Sequence, residues 1–123
     1  MSKKSAFLLL GGLALSGNVF AMSGKEFLDQ CSLDKLKSLD KPAYVTAITF
    51  CTSLVRGVIE GHYATAGYYE KDRLFCIPQG KTYMDLTGEV VGRLGVEQKY
   101  QDKPFGGLAI IYLGRSFPCE KKP

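Results

Sequence analysis

The chain has 123 residues, 46% of them hydrophobic, with 16 Lys and Arg against 12 Asp and Glu and a formal net charge of +4. That length holds one domain with one core, and lysines scattered along the sequence exclude the clustered basic face that nucleic-acid recognition needs. Apolar runs well short of the roughly 20 residues that cross a bilayer as a helix lead to the expectation of no membrane anchor.

In chain order, the first 21 residues have the three-part order of a cleavable secretion signal: Lys3 and Lys4, an apolar run from Ala6 to Leu15, and a segment from Ser16 ending Val19-Phe20-Ala21. The small residues Val19 and Ala21 place the cut between Ala21 and Met22. No cysteine stands near it to take a lipid. The mature domain is then residues 22–123. Lys3 and Lys4 leave with the signal, so 14 basic residues face 12 acidic ones and most of the positive charge disappears.

Ser23 followed three residues later by Glu26 predicts a capping box opening a first helix through Phe27, Leu28 and Cys31. The polar, lysine-rich stretch Leu33 to Lys41 reads as a connection with room for a turn of helix. Pro42 suits the first turn of a second helix, Pro42 to Ala64, in which Ile48, Cys51, Val55, Val58, Ile59 and His62 recur at spacings of three and four. Gly57 and Gly61, four apart on it, predict close approach of a neighbouring helix. Tyr63 to Lys81 lacks a helical period and contains Gly67, Pro78 and Gly80, which predicts a loop carrying Cys76. Thr82 caps a third helix with Met84, Leu86, Val90, Val91 and Leu94 on its apolar side, ended by Gly95. After the polar stretch Val96 to Lys103, Pro104 opens a fourth helix with Phe105, Leu108, Ala109, Tyr112 and Leu113 facing inward, stopping near Pro118. Leu108 to Leu113 also fits a buried strand, but no partner strand is apparent elsewhere. The fold class is an all-α, four-helix domain with short connections.

All four cysteines, Cys31, Cys51, Cys76 and Cys119, lie in the mature part, and an even count in an exported chain predicts two disulfides. Three pairings are possible. Cys31 with Cys51 and Cys76 with Cys119 is favoured, because the first pair ties the short first helix to the long second one and the second closes the C-terminal half on itself. A metal site wants closely spaced ligands, whereas the smallest cysteine gap is 20 positions and His62 is the one histidine. No metal or cofactor is expected.

Catalysis is poorly served by the same inventory. Glu60, two positions before His62 on a helix, points to a different face, and Asp85 with Glu89, one turn apart, reads as a solvated helix face. Gly106-Gly107 lies inside an apolar helix without the preceding strand a phosphate loop requires. The chain reads instead as a binding module. Seven tyrosines and no tryptophan supply rigid, amphipathic contact area; Tyr63, Tyr68 and Tyr69 crowd the loop before Arg73, and Tyr100 shares the other polar loop with Glu97 and Gln98.

The run Phe75-Cys76-Ile77-Pro78-Gln79-Gly80, Cys51 followed by Arg56-Gly57-Val58-Ile59-Glu60, and the closing Phe117-Pro118-Cys119 resemble the Rap1a/Tai family of periplasmic immunity proteins associated with type VI secretion. The resemblance spans Phe27 to Cys119. It implies an all-α, disulfide-linked and often dimeric domain that binds a peptidoglycan-cleaving amidase effector delivered by a neighbouring cell and blocks its active-site cleft. Carried onto this sequence, the inserted element is the loop Gly95 to Lys103, led by Glu97, Gln98 and Tyr100, with Tyr68, Tyr69 and Glu70 as the second choice. The competing expectation is a disulfide-linked helical chaperone that exposes an apolar surface in acid, which the near balance of acidic and basic residues fits poorly. A small-ligand carrier would instead need a sizeable apolar cavity.

Overall fold

The structure, a computed structural model, describes residues 21–68 and 72–120. The secretion signal read at positions 1–21 therefore lies, all but Ala21, outside the described residues, as do Tyr69 and Glu70. Among the described residues the chain forms α1 (Gly24–Cys31), α2 (Leu33–Lys37), α3 (Lys41–Tyr68), α4 (Tyr83–Val96), a 3-10 turn (Gln98–Tyr100) and α5 (Phe105–Ser116), with no strand beyond one isolated bridge between Ser23 and Pro104. Four principal helices and a single turn of helix in the 33–41 connection match the expected all-α class.

The helix starts are chemically explicit. Ser23 Oγ accepts the Glu26 N–H at 3.1 Å while Glu26 Oε2 accepts the Ser23 N–H at 3.3 Å, and Thr82 and Asp85 make the same reciprocal pair at the start of α4. Asp40 Oδ1 accepts the Ala43 N–H at 3.0 Å and starts α3 one residue before Pro42. The far end of α3 corrects the sequence reading: Tyr63 to Tyr68 continue the helix instead of opening a loop, and Ala66 continues the buried stripe about two turns beyond Ile59. Gly95 likewise does not end α4, which continues through Val96 to a cap at Glu97.

One core gathers Phe27 and Cys31 from α1, Cys51, Val55 and Ile59 from α3, Leu86, Val90 and Leu94 from α4, and Phe105, Leu108, Ala109, Tyr112 and Leu113 from α5, with Phe75 inserted from the segment before α4. Phe27 stacks on Phe105 with centroids 4.0 Å apart. The expected inward face of the last helix is correct at every position. On α4 the stripe is Leu86, Thr87, Val90 and Leu94, and Met84 is exposed; two residues from Leu86 it is rotated about 200° around the helix, onto the opposite side. The helix-packing role expected of Gly57 and Gly61 is also overturned, since a Cβ at either would meet nothing within 4 Å. The close approaches are elsewhere. A Cβ on Gly24 would lie 2.6 Å from Leu108 Cδ1, and one on Gly114 would lie 3.0 Å from the Leu74 carbonyl oxygen.

By length and composition α3 is long and apolar enough to cross a membrane, which the expected lack of any such stretch missed. Its C-terminal two-thirds carry the buried stripe Cys51, Val55, Ile59 and Ala66, and Cys51 is bonded to Cys31 on α1. Through Cys51, Val55 and Ile59 that stripe is the part of the helix that joins the core. The second disulfide joins Cys76 to Cys119, so both bridges follow the favoured pairing. Loops of 20 and 43 residues constrain the unfolded chain by about 3 and about 4 kcal/mol.

Cys31 and Cys51 are 2% and 0% exposed, whereas Cys76 is exposed and Cys119 half-buried. Limited reduction followed by alkylation and peptide mass analysis is therefore expected to label Cys76 and Cys119 well before Cys31 and Cys51. Gly114→Ala, whose added methyl meets backbone and not a pliable side chain, is expected to lower unfolding stability by about 1–3 kcal/mol, read from a urea titration.

Candidate functional site

Two short segments project from this core, and each is fastened at several points. The first follows α4. Backbone bonds tie it to the N-terminal segment: Lys25 N–H to Gln101 O at 2.7 Å, Gly24 N–H to Lys103 O at 2.9 Å and Phe105 N–H to Met22 O at 2.7 Å. The Gln101 side-chain amide donates to Leu94 O at 2.8 Å, and Arg115 on α5 holds Glu97 Oε1 at 2.7 Å. The close approach at Gly24 is what lets the N-terminal segment reach this turn.

The result brings Glu97, Gln98 and Tyr100 together around one opening, as the sequence grouped them. Val96 beside them is 82% exposed, and Lys99 Nζ lies 4.7 Å from the Tyr100 ring centroid. On the outer side, Val96 to Tyr100 and Arg115 line a groove of about 440 Å³. On the α5 side, Glu97, Tyr100, Leu108, Ile111 and Tyr112 contribute to a second groove of about 430 Å³. Tyr112, Ile111 and Arg115 were not among the candidate site residues. Their spacing on α5 is visible in the sequence, but only the fold brings that helix against the turn.

The second segment runs from residue 72 into Phe75 and Cys76. His62 Nε2 accepts the Leu74 N–H at 3.0 Å, the Tyr63 hydroxyl accepts the Ile77 N–H at 3.1 Å, and both rings pack on the buried Phe75. The Arg73 guanidinium covers the Tyr63 ring at 4.5 Å, and the Cys76 N–H donates to Phe117 O at 2.8 Å. His62 and Tyr63 are thus fasteners. Tyr68, 81% exposed at the end of α3, lines neither groove at the 97–100 turn.

A third feature escaped the sequence reading. No residue from Lys41 to Phe50 is buried, although Tyr44, Val45 and Phe50 are large and apolar and stand 38–52% exposed. The hydroxyls of Thr46, Thr49 and Thr52 return to the helix carbonyls of Pro42, Val45 and Ile48, so this face behaves as more apolar than its composition. A cleft of about 630 Å³ lies along it, lined by Leu39, Ala43, Ala47 and Phe50 among others.

The carboxylates are engaged structurally. Glu60 pairs with Arg56 at 2.8 Å and accepts the Tyr83 hydroxyl at 3.2 Å. Asp85 caps α4, and Glu89 accepts from the Ser116 hydroxyl and from Arg93 Nε at 3.2 Å, joining α4 to α5. The Ser116 hydroxyl is the main cause holding Glu89 below its ordinary value, the Arg56 hydrogen bond does the same for Glu60, and the Thr82 N–H does so for Asp85. Among the described residues no group of three or more His, Cys, Asp and Glu side chains is placed to hold a metal ion.

The family model of the Rap1a immunity proteins matches residues 23–119. Neither the curated proteins nor the solved structures contain a match. The family match covers nearly all of the described chain, from the first helix cap to the last cysteine, and the chain belongs to the Rap1a immunity protein family.

The depressed carboxylates set the direction of its pH dependence. A group whose folded pKa lies below its unfolded one stabilises above the unfolded value and loses that contribution as pH falls through the folded one. With ordinary values of 3.8 for Asp85 and 4.5 for Glu60 and Glu89, the urea midpoint is expected to hold steady near neutrality and fall below about pH 4.5. Glu89→Gln is expected to lower the midpoint at pH 7 and flatten the acid decline.

Proposed function

We propose that this Rap1a family member works in the periplasm, where it binds a peptidoglycan-cleaving amidase delivered by type VI secretion and occludes its active-site cleft with the 97–103 turn. The observation that carries this reading is the fastening of the turn. Glu97, Gln98, Tyr100 and the exposed Val96 stand on a segment held by three backbone bonds, the Gln101 amide and the Arg115 ion pair. A projecting element already ordered in the free protein loses little conformational freedom when a cleft receives it. Residues 1–21, read as a cleaved signal, and two disulfides, which persist in oxidising compartments, support the periplasmic address. The role is inhibition by binding, without catalysis.

A second copy of the chain is the partner we assign to the apolar face of α3. Tyr44, Val45 and Phe50 stand exposed on a helix whose buried stripe begins only at Cys51, and two such faces packed across a two-fold axis cover each other.

In the decisive assay, the mature chain at equimolar ratio is expected to abolish hydrolysis of peptidoglycan by a type VI amidase effector. Glu97→Arg and Tyr100→Ala are each expected to weaken inhibition about tenfold or more, in the range of central interface residues, while Tyr68→Ala leaves it nearly unchanged. An amidase that stays fully active in excess chain, with a chain that instead stops client aggregation in acid, would support the chaperone reading. For the α3 face, Val45→Glu with Phe50→Glu is expected to convert a dimer to a monomer in sedimentation velocity with helical circular dichroism unchanged.

A further inference from the structure

Glu97 stands where α4 ends, its N–H closing the helix on Arg93 O at 3.0 Å, and both oxygens of its carboxylate are taken up inside the chain. Oε1 accepts from Arg115 at 2.7 Å. Oε2 and the Tyr112 hydroxyl are both closed to solvent, and they serve each other, the phenol donating and the carboxylate accepting. Burial first, and the Glu97 carboxylate after it, raise the Tyr112 phenol, so the donor keeps its proton at neutral pH. A hydroxyl that donates to a carboxylate makes a charge-assisted bond, roughly twice as strong as a neutral one. Tyr112 and Arg115, three positions apart on one side of α5, therefore grip the first residue of the turn from both sides of its carboxylate.

That grip changes what the turn shows to a partner. Between Val96 and Lys103 the charged residues are Glu97, Lys99, Asp102 and Lys103. Arg115 matches Glu97, and Lys103 lies 3.7 Å from Asp102. Lys99 forms no ion pair among the described residues; it rests over the Tyr100 ring and stands exposed with Val96, Gln98 and Tyr100. The outward edge of the turn is therefore cationic, although its sequence is balanced.

We infer that Tyr112 is a positioning residue which, with Arg115, draws the Glu97 carboxylate out of the contact edge, so that the turn meets its partner through Val96, Gln98, Lys99 and Tyr100 and fits a cleft wall carrying a carboxylate opposite Lys99. The inference rests on the immunity reading for the identity of the partner. A basic wall would be repelled by Lys99, and an apolar wall would strip water from its ammonium without replacing the lost bonds. A carboxylate on the wall pairs with Lys99 and speeds the encounter. It would be repelled by Glu97 if that carboxylate faced outward, and the grip from α5 removes this repulsion. Glu97 thus acts in binding by setting the turn, not by touching the partner.

Two measurements on the mature chain need no partner. With ring-labelled tyrosine, the Tyr112 phenol is expected to titrate above its ordinary value of 10.0 and to fall part of the way back in Glu97→Gln. In Tyr112→Phe, amide exchange at Gln101 and Lys103, whose N–H groups close the turn on Gln98 O and Tyr100 O, is expected to quicken at least about fivefold relative to exchange at Val55 in the core. A Tyr112 phenol indifferent to Glu97→Gln, or a turn whose exchange does not change, overturns the inference. The contact edge is tested with a type VI amidase effector that the wild-type chain inhibits. Lys99→Glu is expected to weaken inhibition about tenfold or more, Lys99→Arg to recover most of that loss, and Tyr112→Phe to weaken inhibition about fivefold. Inhibition by Lys99→Glu as tight as that of wild type or tighter overturns the acidic wall. A wild-type chain that inhibits no amidase overturns the immunity reading instead, and the phenol titration and amide exchange decide the positioning role without it.

Discussion

α3 is longer than the body it runs through, and most of the molecule follows from that mismatch. Its 28 residues extend about 42 Å, whereas a domain of about 100 residues has a radius of gyration near 13 Å. A single core can bury only part of such a helix. Burial starts at Cys51 and recurs at Val55, Ile59 and Ala66, and nothing before Cys51 is buried. The Cys31–Cys51 bridge sits at the boundary, pinning α1 to the point where the core begins. Beyond it the helix continues as an apolar arm, steadied on one side by α2 and by threonine hydroxyls turned back to their own backbone.

With α3 fixed as the axis, the segments between helices become straps. The one before α4 is laid along α3 by two side chains of that helix, His62 and Tyr63, each accepting a backbone N–H, and its Phe75 is driven into the core. Cys76 then joins Cys119 across the end of α5, and Leu74 O passes so close to Gly114 that a Cβ there would lie 3.0 Å from it. The turn after α4 is secured differently, by the N-terminal segment that runs beside it. Both straps are ordered by the body without needing a partner. In a protein whose task is to meet another protein, that order removes a cost that flexible loops bear at the moment of binding.

The sequence carried the local parts of this plan well. Capping boxes at Ser23 and Thr82, the three-and-four spacing of α3 and α5, and Pro42 in a first turn are all decided by neighbours within one helical turn, and they reappear in place. The cysteine pairing followed from the order of the elements. Glu97, Gln98 and Tyr100 line one groove because they are near neighbours in sequence. What failed depended on distant partners or small side chains. The last turn of α3 is Ala-Thr-Ala-Gly-Tyr, whose one buried member is an alanine, so no apolar period announced it. Gly57 and Gly61 looked like a packing notch because glycine spacing says nothing about whether a helix arrives. Met84 looked inward because hydrophobicity alone cannot separate two residues on opposite sides of a helix. Tyr112 was correctly read as core, but the burial of its hydroxyl beside the Glu97 carboxylate depends on two elements meeting and has no local signature.

Acid separates the immunity reading from its chaperone rival at the level of individual contacts. An acid-activated chaperone conceals its client surface at neutral pH behind carboxylates whose protonation releases it. Here the large apolar face, the front of α3, is not covered by carboxylate-bearing segments of its own chain, and its neighbours within the helix are chiefly alanines and threonines. The carboxylates held below their ordinary values do other work: Asp85 caps a helix, Glu89 bridges α4 and α5, and Glu60 pairs within α3 and with Tyr83. Protonating them loosens the body without uncovering a prepared surface. The arrangement suits a domain that keeps one shape over the pH range where its carboxylates stay charged, and a fixed shape is what blocking a cleft requires.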